Sequence, residues 1–268
     1  MASSPTSPSV MVFDSGLGGL TVLREIVRAR PDVAIRYVAD DTFFPYGGRD
    51  ETILVERVLS VFEDQLARHR FDLVVIACNT ASTVALPRLR ARFSVPFVGT
   101  VPAIKPACQT SESRQVSVLG TEATVQREYT RTLIRDYGQG CTVTLVGSPR
   151  LAVLAEAELN GDRPQDAEIA AEIAPCFVES DAGRTDTIVL ACTHYPLLLD
   201  RFAALAPWPV NWLDPAPAIA RRVSDLLGPS RADASPMRPS FEFTSGRTPS
   251  PTLQTALVAL GFAEQASV

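Results

Sequence analysis

The sequence predicts an α/β fold of two halves related by an approximate two-fold axis, each a mainly parallel sheet flanked by helices, with a cleft between them. Three observations predict it. Short apolar runs rich in β-branched residues alternate with stretches of helical period. The same order of segments occurs twice along the 268 residues. In addition, 46% of the residues are apolar, which is enough for a core of full size.

The apolar runs assign four strands to each half, at 9–13, 34–38, 72–77 and 96–98, and then at 115–119, 142–146, 186–191 and 209–213. Helical patterns between them fall at 18–29, 51–68, 81–92, 124–136, 150–159, 165–179 and 197–205. The tail is expected to form a helix at 216–227, a loop at 229–239, a strand and turn at 241–246 and a last helix at 251–261. We expect the first half to contain residues 1–100 plus 211–268, with the tail packed onto it, and the second half to contain residues 101–210.

The clearest internal match joins FDLVVIACNT at 71–80 to TDTIVLACTH at 185–194. Each segment runs from an Asp through a β-branched run to Ala-Cys and a polar pair. Ligands of open parallel sheets bind beyond the carboxyl ends of the strands. A two-fold axis would therefore bring Cys78 and Cys192 face to face across one cleft.

These two cysteines have a functional and a structural interpretation. A helix starting after each would point backbone N–H groups at the cleft, which favours an anion and a thiolate. Alternatively, each is a small apolar residue that ends a buried strand. Equivalent placement in a repeat favours the functional interpretation for this pair. The other cysteines lack this context and are expected to be structural: Cys108, Cys141 and Cys176.

Other motifs leave alternatives open. DSGLGG at 14–19 follows a strand but is neither a dinucleotide fingerprint nor a P-loop. Asp14 can orient a base, hold a substrate ammonium or cap the next helix. Tyr46 can give its hydroxyl to the cleft, and a plain turn explains it equally well. His194 near Cys192 also suggests a cysteine hydrolase. A zinc site is not expected, because its ligands would be scattered, and a Cys78–Cys192 disulfide has no C-x-x-C motif behind it.

Bulk properties exclude several classes of partner. A net charge of −5 and a pI of about 5.2 argue against nucleic acid or an acidic membrane. There is no run of 18 apolar residues, and the start, MASSPTSPS, does not read as a signal peptide. Five cysteines without framework spacing indicate a reducing cytoplasm. The oligomeric state is not encoded in these patterns, so a homodimer stays open.

With these motifs in place, the sequence resembles the glutamate racemases of the aspartate/glutamate racemase superfamily over roughly residues 10–265. The motifs that carry the resemblance are DSGLGG at 14–19, PYG at 45–47, ACNTAS at 77–82, GTEAT at 120–124 and CTHYP at 192–196. The resemblance implies interconversion of L- and D-glutamate by two thiols, Cys78 and Cys192, and a supply of D-glutamate for peptidoglycan. It implies assisting roles for Asp14, His194 and Glu156, with Glu158 a nearby alternative for the last. The substrate-binding residues that it implies are Asp14, Ser15, Tyr46, Gly47, Asn79, Thr80, Thr121, Thr124, Thr193 and His194.

Two departures from the family bear on detail. Many relatives have Asp-Thr or Asp-Asn where this chain has Asp40-Asp41. Some relatives carry a longer N-terminal segment that serves regulation by a cell-wall precursor. Only a short segment precedes the first predicted strand here, so this control is not expected.

The chemistry fits these residue types. Racemisation needs one acid/base group on each face of the α-carbon, and a free thiol with a pKa of about 8.5 needs only modest tuning. Lys105 is the only lysine and lies in a Pro-flanked segment, so a pyridoxal Schiff base, and with it any cofactor, is not expected. Backbone N–H groups and hydroxyls must then stabilise the charge that develops on the carboxylate. A racemase for aspartate, a cysteine hydrolase and an inactive binding protein remain the alternatives.

Overall fold

The structure is a computed structural model that describes residues 7–138, 140–230 and 236–262. The N-terminal segment MASSPTSPS lies mostly outside these ranges, as does the middle of the loop predicted at 229–239.

Eleven strands occur in this part of the chain, numbered in chain order: β1 (Ser9–Asp14), β2 (Ala34–Ala39), β3 (Leu73–Ile76), β4 (Phe97–Gly99), β5 (Gln115–Gly120), β6 (Thr142–Gly147), β7 (Glu179–Ser180), β8 (Gly183–Arg184), β9 (Thr187–Ala191), β10 (Asn211–Leu213) and β11 (Ser240–Phe243).

The α-helices of the same ranges are α1 (Leu20–Ala29), α2 (Glu51–Arg68), α3 (Asn79–Arg92), α4 (Ile104–Thr110), α5 (Glu122–Gln126), α6 (Glu128–Tyr137), α7 (Leu151–Asn160), α8 (Asp166–Ile173), α9 (Leu199–Leu205), α10 (Ala216–Leu227) and α11 (Pro251–Ala259). Short 3₁₀ helices occur at Tyr46–Gly48, Ala174–Cys176 and Tyr195–Leu198.

Two parallel sheets confirm the predicted α/β class and its internal repeat. The first has the order β11-β2-β1-β3-β4 and the second β10-β9-β5-β6, with every pairing parallel. Read from β2 to β4 and from β6 to β10, the two sheets have the same order. In this correspondence β3, which precedes Cys78, matches β9, which precedes Cys192.

Alternating side chains of the central strands form a core on each face of each sheet. In β1, Val10 and Val12 belong to one buried cluster, and Met11 and Phe13 belong to the cluster on the opposite face. The side chains of β9 divide in the same way between two buried clusters of the second half. Because both faces are covered, these strands read as continuous apolar runs rather than alternating ones.

Local chemistry explains most of the element boundaries. The Asp50 side chain caps α2 by accepting hydrogen bonds from the N–H groups of Thr52 and Ile53. The predicted helix at 165–179 is shorter in the structure, because α8 ends at Ile173 and a 3₁₀ turn that contains Pro175 follows. The helix predicted at 124–136 is two helices with extended backbone at Arg127 between them.

Three features differ from the predicted element map. Helix α4 lies in a segment where no helix was expected, and β7 and β8 form a small antiparallel hairpin inside the expected helix-to-strand connection. The predicted first half begins again at residue 211, but β10 pairs with β9 in the second sheet. By strand membership the chain thus returns to the first half after Leu213. The division into two domains remains a proposal.

The tail packs mainly onto the first half. Strand β11 extends the first sheet beyond β2, and side chains of α10 and α11 belong to the same buried cluster as β1. Helix α11 also approaches α7 of the second half, where a Cβ on Gly161 would lie 2.9 Å from Thr252 Cγ2. Among the residues that the structure describes, no helix has both the length and the apolar character needed to span a membrane.

Candidate active site

A cavity of about 110 Å³ lies between the two sheets at the carboxyl ends of their strands. Both halves line it. Of the residues predicted to form the site, it is lined by Ser15, Tyr46, Gly47, Cys78, Asn79, Thr80, Thr121, Cys192, Thr193 and His194. Asp14, Thr124 and Glu156 lie behind this lining and contact it through hydrogen bonds.

Cys78 follows β3 and occupies the N-cap of α3. Its Sγ accepts a hydrogen bond from the Ala81 N–H at 3.5 Å, and its thiol donates to Ser15 Oγ at 3.6 Å. Burial, followed by the nearby negative charge of Asp14, raises the pKa of Cys78 from 9.0 to about 12. This residue therefore carries its proton at neutral pH.

Cys192 has a different environment. The sequence argument expected a helix to start directly after it, but a 3₁₀ turn starts only at Tyr195 and α9 starts at Leu199. The partner of the thiol is instead the His194 side chain, with Nδ1 3.8 Å from Cys192 Sγ. A charged imidazole rather than a helix N-terminus is thus placed to favour a thiolate here.

His194 is completely enclosed and hydrogen-bonded through both ring nitrogens. Nε2 lies 3.0 Å from Glu156 Oε1. When Nε2 carries no proton, it can instead accept a hydrogen bond from the Gly18 N–H at 3.1 Å. Burial opposes the imidazolium, but the hydrogen bonds to Cys192 and Glu156 and the charge of Asp14 raise the pKa of His194 well above its ordinary value. The histidine therefore holds a proton that can be shared with the thiol.

The structure separates the two glutamates that the sequence could not. Glu156 Oε1 also accepts a hydrogen bond from the Leu17 N–H at 2.7 Å, so it joins α7 to the first turn of the chain. Glu158 instead forms an ion pair with Arg201 at 2.8 Å. Only Glu156 contacts the histidine of the site.

Asp14 joins the two halves rather than capping a helix. Its Oδ1 accepts a hydrogen bond from Thr193 Oγ1 at 3.0 Å, and its Oδ2 accepts from the Gly16 N–H at 3.0 Å. Helix α1 begins at Leu20 without a side-chain cap. Burial raises the pKa of Asp14, although His194 and the two hydrogen bonds act in the opposite direction. Because this carboxyl does not line the cavity, the arrangement favours orientation of Thr193 over direct contact with a substrate ammonium.

Glycines allow the DSGLGG turn to approach the second half this closely. A Cβ on Gly16 would fall 2.0 Å from Glu156 Oε1, and one on Gly18 would fall 2.4 Å from His194 Nδ1. At both positions a side chain of the second half occupies the space that a Cβ would need, so glycine allows the close approach.

Three threonine hydroxyls gather on the side of the cavity next to Cys78. Thr80 Oγ1 lies 3.1 Å from Thr121 Oγ1, which lies 3.0 Å from Thr124 Oγ1. Thr121 also caps α5 by accepting the Thr124 N–H. Such hydroxyls can turn their protons toward a carboxylate. Beside them, the buried amide group of Asn79 has no hydrogen-bond partner at either atom within the described chain, which is the state expected of a group that awaits a ligand.

Of the two interpretations of the Tyr46 hydroxyl, the structure favours a role in the turn. The hydroxyl donates to Asp40 Oδ2 at 2.6 Å. Asp40 is completely buried, forms an ion pair with Arg57, and accepts a further hydrogen bond from Thr244. Tyr46 therefore lines the cavity with its ring and backbone, and its hydroxyl fixes the turn. Gly47 fits the lining because a Cβ there would lie 2.9 Å from Thr121 Cβ.

Asp41, where many relatives have Thr or Asn, has local hydrogen-bond partners. Its carboxylate accepts hydrogen bonds from Ser245 Oγ at 2.6 Å and pairs with Arg247 at 2.8 Å. The second aspartate thus ties the tail to the end of β2, away from the cavity.

Several residues that line the cavity were not among the predicted site residues: Phe44, Pro45, Gly48, Glu122, Ser148, Pro149 and Ala152. One signal was present for Ser148 and Pro149, since they directly follow β6 and so lie at the same carboxyl edge as the predicted residues. Phe44 and Ala152 carry no such signal.

Other chemistries find less support in this arrangement. All five cysteines are free. Within residues 7–138, 140–230 and 236–262, no three His, Cys, Asp or Glu side chains are grouped to hold a metal ion. A Cys–His pair exists, as a hydrolase would need, but that chemistry would leave Cys78, which lines the same cavity, without a role.

Comparison with known proteins identifies the family. The chain is 55% identical to a glutamate racemase of Brucella anthropi over 234 residues, which cover 87% of this chain and 84% of that protein. It is 53% identical to a glutamate racemase of Brucella abortus over 231 residues, covering 86% and 83% of the two chains.

Solved structures agree with the sequence relatives. Escherichia coli glutamate racemase, crystallised with L-glutamate and the activator UDP-MurNAc-Ala, superposes with a TM-score of 0.84 at 38% identity, covering 95% of this chain and 96% of that one. The glutamate racemase of Aquifex pyrophilus gives a TM-score of 0.69 at 31% identity and covers 95% of both chains. The Asp/Glu/hydantoin racemase family model matches residues 11–223, and the chain belongs to this family.

Proposed function

We propose that this protein is a cofactor-independent glutamate racemase in which Cys78 and Cys192 act on opposite faces of the α-carbon. One observation carries the proposal: the two thiols line the same small cavity from opposite halves of the molecule. Two proton-transfer groups that face each other are what inversion of a carbon centre needs, and a hydrolase needs only one nucleophile.

In the direction from L- to D-glutamate, Cys192 takes the α-proton as a thiolate, and Cys78 delivers a proton to the other face. The two environments suit these roles. Cys78 is held as a thiol by burial, and Cys192 faces the protonated imidazole of His194. After one turnover the protonation states are exchanged, and the protein is ready for D-glutamate.

The substrate carboxylates must be held by neutral groups. No arginine or lysine is among the described residues that line the cavity. The Thr80, Thr121 and Thr124 hydroxyls, the Asn79 amide and the backbone N–H groups at the start of α3 are the available donors. Donors fixed in a dry cavity stabilise developing charge on a carboxylate far better than mobile water does.

The wider setting follows from the relatives. We propose that the protein acts in the cytoplasm, on free glutamate, to supply D-glutamate for peptidoglycan synthesis. A homodimer remains part of the proposal, and light scattering on the purified protein tests it.

The experiment is interconversion of purified enantiomers. L-Glutamate and D-glutamate should each lose their circular dichroism signal on incubation with the protein, without added cofactor, and the product formed in heavy water should contain one α-deuterium. A larger kcat/KM with aspartate than with glutamate would instead support the aspartate racemase alternative. Failure to invert either amino acid would refute the proposal.

A further inference from the structure

Phe44 belongs to the first half of the chain but packs against the second half. It lies in the loop between β2 and α2, directly before Pro45. Its ring centroid is 5.3 Å from that of His194, with 40° between the ring planes. It contacts the buried cluster that includes Cys192 and Tyr195. A side chain from one half thus covers the histidine of the other.

The contact with Phe44 acts on His194 in a different way from the hydrogen bonds of its ring nitrogens. Nδ1 faces Cys192 and Nε2 faces Glu156, so both ring nitrogens have a hydrogen-bond partner. These bonds are strong only where water cannot compete for the same atoms. Phe44 lines the cavity beside His194, and its ring occupies space that water would otherwise enter.

A second contact limits the position of the ring of Phe44. A Cβ on Gly16 would lie 3.0 Å from Phe44 Cδ2, so the DSGLGG turn packs directly against this ring. The same turn supplies the Leu17 N–H to Glu156, and its Gly18 nitrogen lies 3.1 Å from His194 Nε2. Phe44 is therefore enclosed between the turn and the imidazole.

We propose that Phe44 is a positioning residue for the Cys192–His194 pair: its ring excludes water from the pair and holds the imidazole with Nδ1 directed at the thiol. The kinetic consequence rests on the proposed racemase function. The protection of the thiol does not, because it follows from packing alone.

The neighbouring Phe43 provides a matched control. It is an aromatic residue of the same loop, half-buried like Phe44, but its ring packs against Tyr46 and lies 4.6 Å from the Arg49 guanidinium. Phe44→Ala should lower kcat by about tenfold or more with KM changed less than about threefold, because a small misplacement of a reacting group has effects of this order. Phe44→Leu, which keeps apolar cover, should recover most of the activity, and Phe43→Ala should stay within about threefold of the parent protein.

The second measurement needs no turnover. Iodoacetamide alkylation of Cys192, located by mass spectrometry at several pH values, should be several-fold faster in Phe44→Ala than in the parent protein or in Phe43→Ala. If the parent protein racemises nothing, the proposed function fails while the alkylation rates still test the role of Phe44. If Phe44→Ala unfolds, the alkylation rate of the folded Phe44→Leu protein decides, with an intermediate rate expected. Parent-like alkylation of Cys192 in the folded Phe44 variants would overturn the proposal, as would equal acceleration in Phe43→Ala.

Discussion

Replacing Glu156 by Gln isolates one charge in the site. Gln keeps an oxygen that can accept the Leu17 N–H, but it removes the negative charge 3.0 Å from His194 Nε2. A hydrogen bond to a charged partner contributes about 1.5–3 kcal/mol. At about 1.4 kcal/mol for each factor of ten, kcat should fall by about ten- to a hundredfold.

The pH dependence of the same variant has a definite sign. Glu156 is one of the groups that raise the pKa of His194, so its neutralisation lowers this pKa. The alkaline limb of the kcat profile, where His194 loses its proton, should therefore move to lower pH in Glu156→Gln. A matched control is Glu158→Gln, two residues along α7, because Glu158 pairs with Arg201 and makes no contact with His194. Initial rates followed by circular dichroism from pH 6 to pH 10 measure both effects. An unchanged rate and profile in Glu156→Gln, or an equal loss in Glu158→Gln, would refute the reasoning.

Three further predictions concern the cysteines and their partners. Cys78→Ala and Cys192→Ala should each abolish racemisation and Cys176→Ala should not, and racemase activity in either of the first two variants would exclude the two-thiol mechanism. Burial raises the pKa of Cys176 from 9.0 to about 12. Between these pH values the folded state keeps a proton that the unfolded state has lost. The contribution of this thiol to the free energy of unfolding is therefore complete below pH 9 and declines by about 1.4 kcal/mol per pH unit up to pH 12. Urea unfolding at pH 8 and pH 10 should therefore show a smaller loss of stability in Cys176→Ala than in the parent protein, and an equal loss would contradict the prediction. His194→Asn should increase the primary deuterium isotope effect on kcat/KM for L-[2-²H]glutamate and decrease it for D-[2-²H]glutamate, and the opposite pattern would reverse the assignment of faces.

The sequence predicted the elements whose signals are local. Short runs rich in β-branched residues, such as LVVI of β3 and TIVLA of β9, favour a buried parallel strand. Helix α4 was missed because Pro106 interrupts its short pattern. In the structure this proline lies in the first turn, where its missing N–H breaks no helical hydrogen bond.

The site was predicted only where the repeat and the motifs reached it. Their equivalent strand ends placed Cys78 and Cys192 on one cavity, because the repeat brings the carboxyl ends of two parallel sheets to the same cleft. For Tyr46 the sequence left a role in the cleft and a plain turn equally open, because the partner of its hydroxyl, Asp40, follows from no local sequence pattern. Phe44 could not be found at all, because its contact joins positions 150 residues apart in sequence and depends on how the halves pack.

The two thiols occupy equivalent places in the repeat, yet the repeat did not give them equivalent partners. Cys78 has a helix N-terminus and the Ser15 hydroxyl, whereas Cys192 has an imidazole supported by a carboxylate. This asymmetry cannot appear in kcat/KM itself. L- and D-glutamate have equal free energies, so kcat/KM must be equal in the two directions for every variant, however one-sided its damage.

What a variant can change is which proton transfer limits the reaction. In the proposed mechanism, loss of His194 raises the barrier for proton transfer to and from Cys192, so this transfer becomes rate-limiting in both directions. A deuterium that starts on L-glutamate is then moved in the limiting step, and one that starts on D-glutamate is moved in the faster step at Cys78. The isotope effect on kcat/KM should therefore rise for L-glutamate and fall for D-glutamate. This difference reports the separate environments of the two thiols, which the equal kcat/KM values of the two directions conceal.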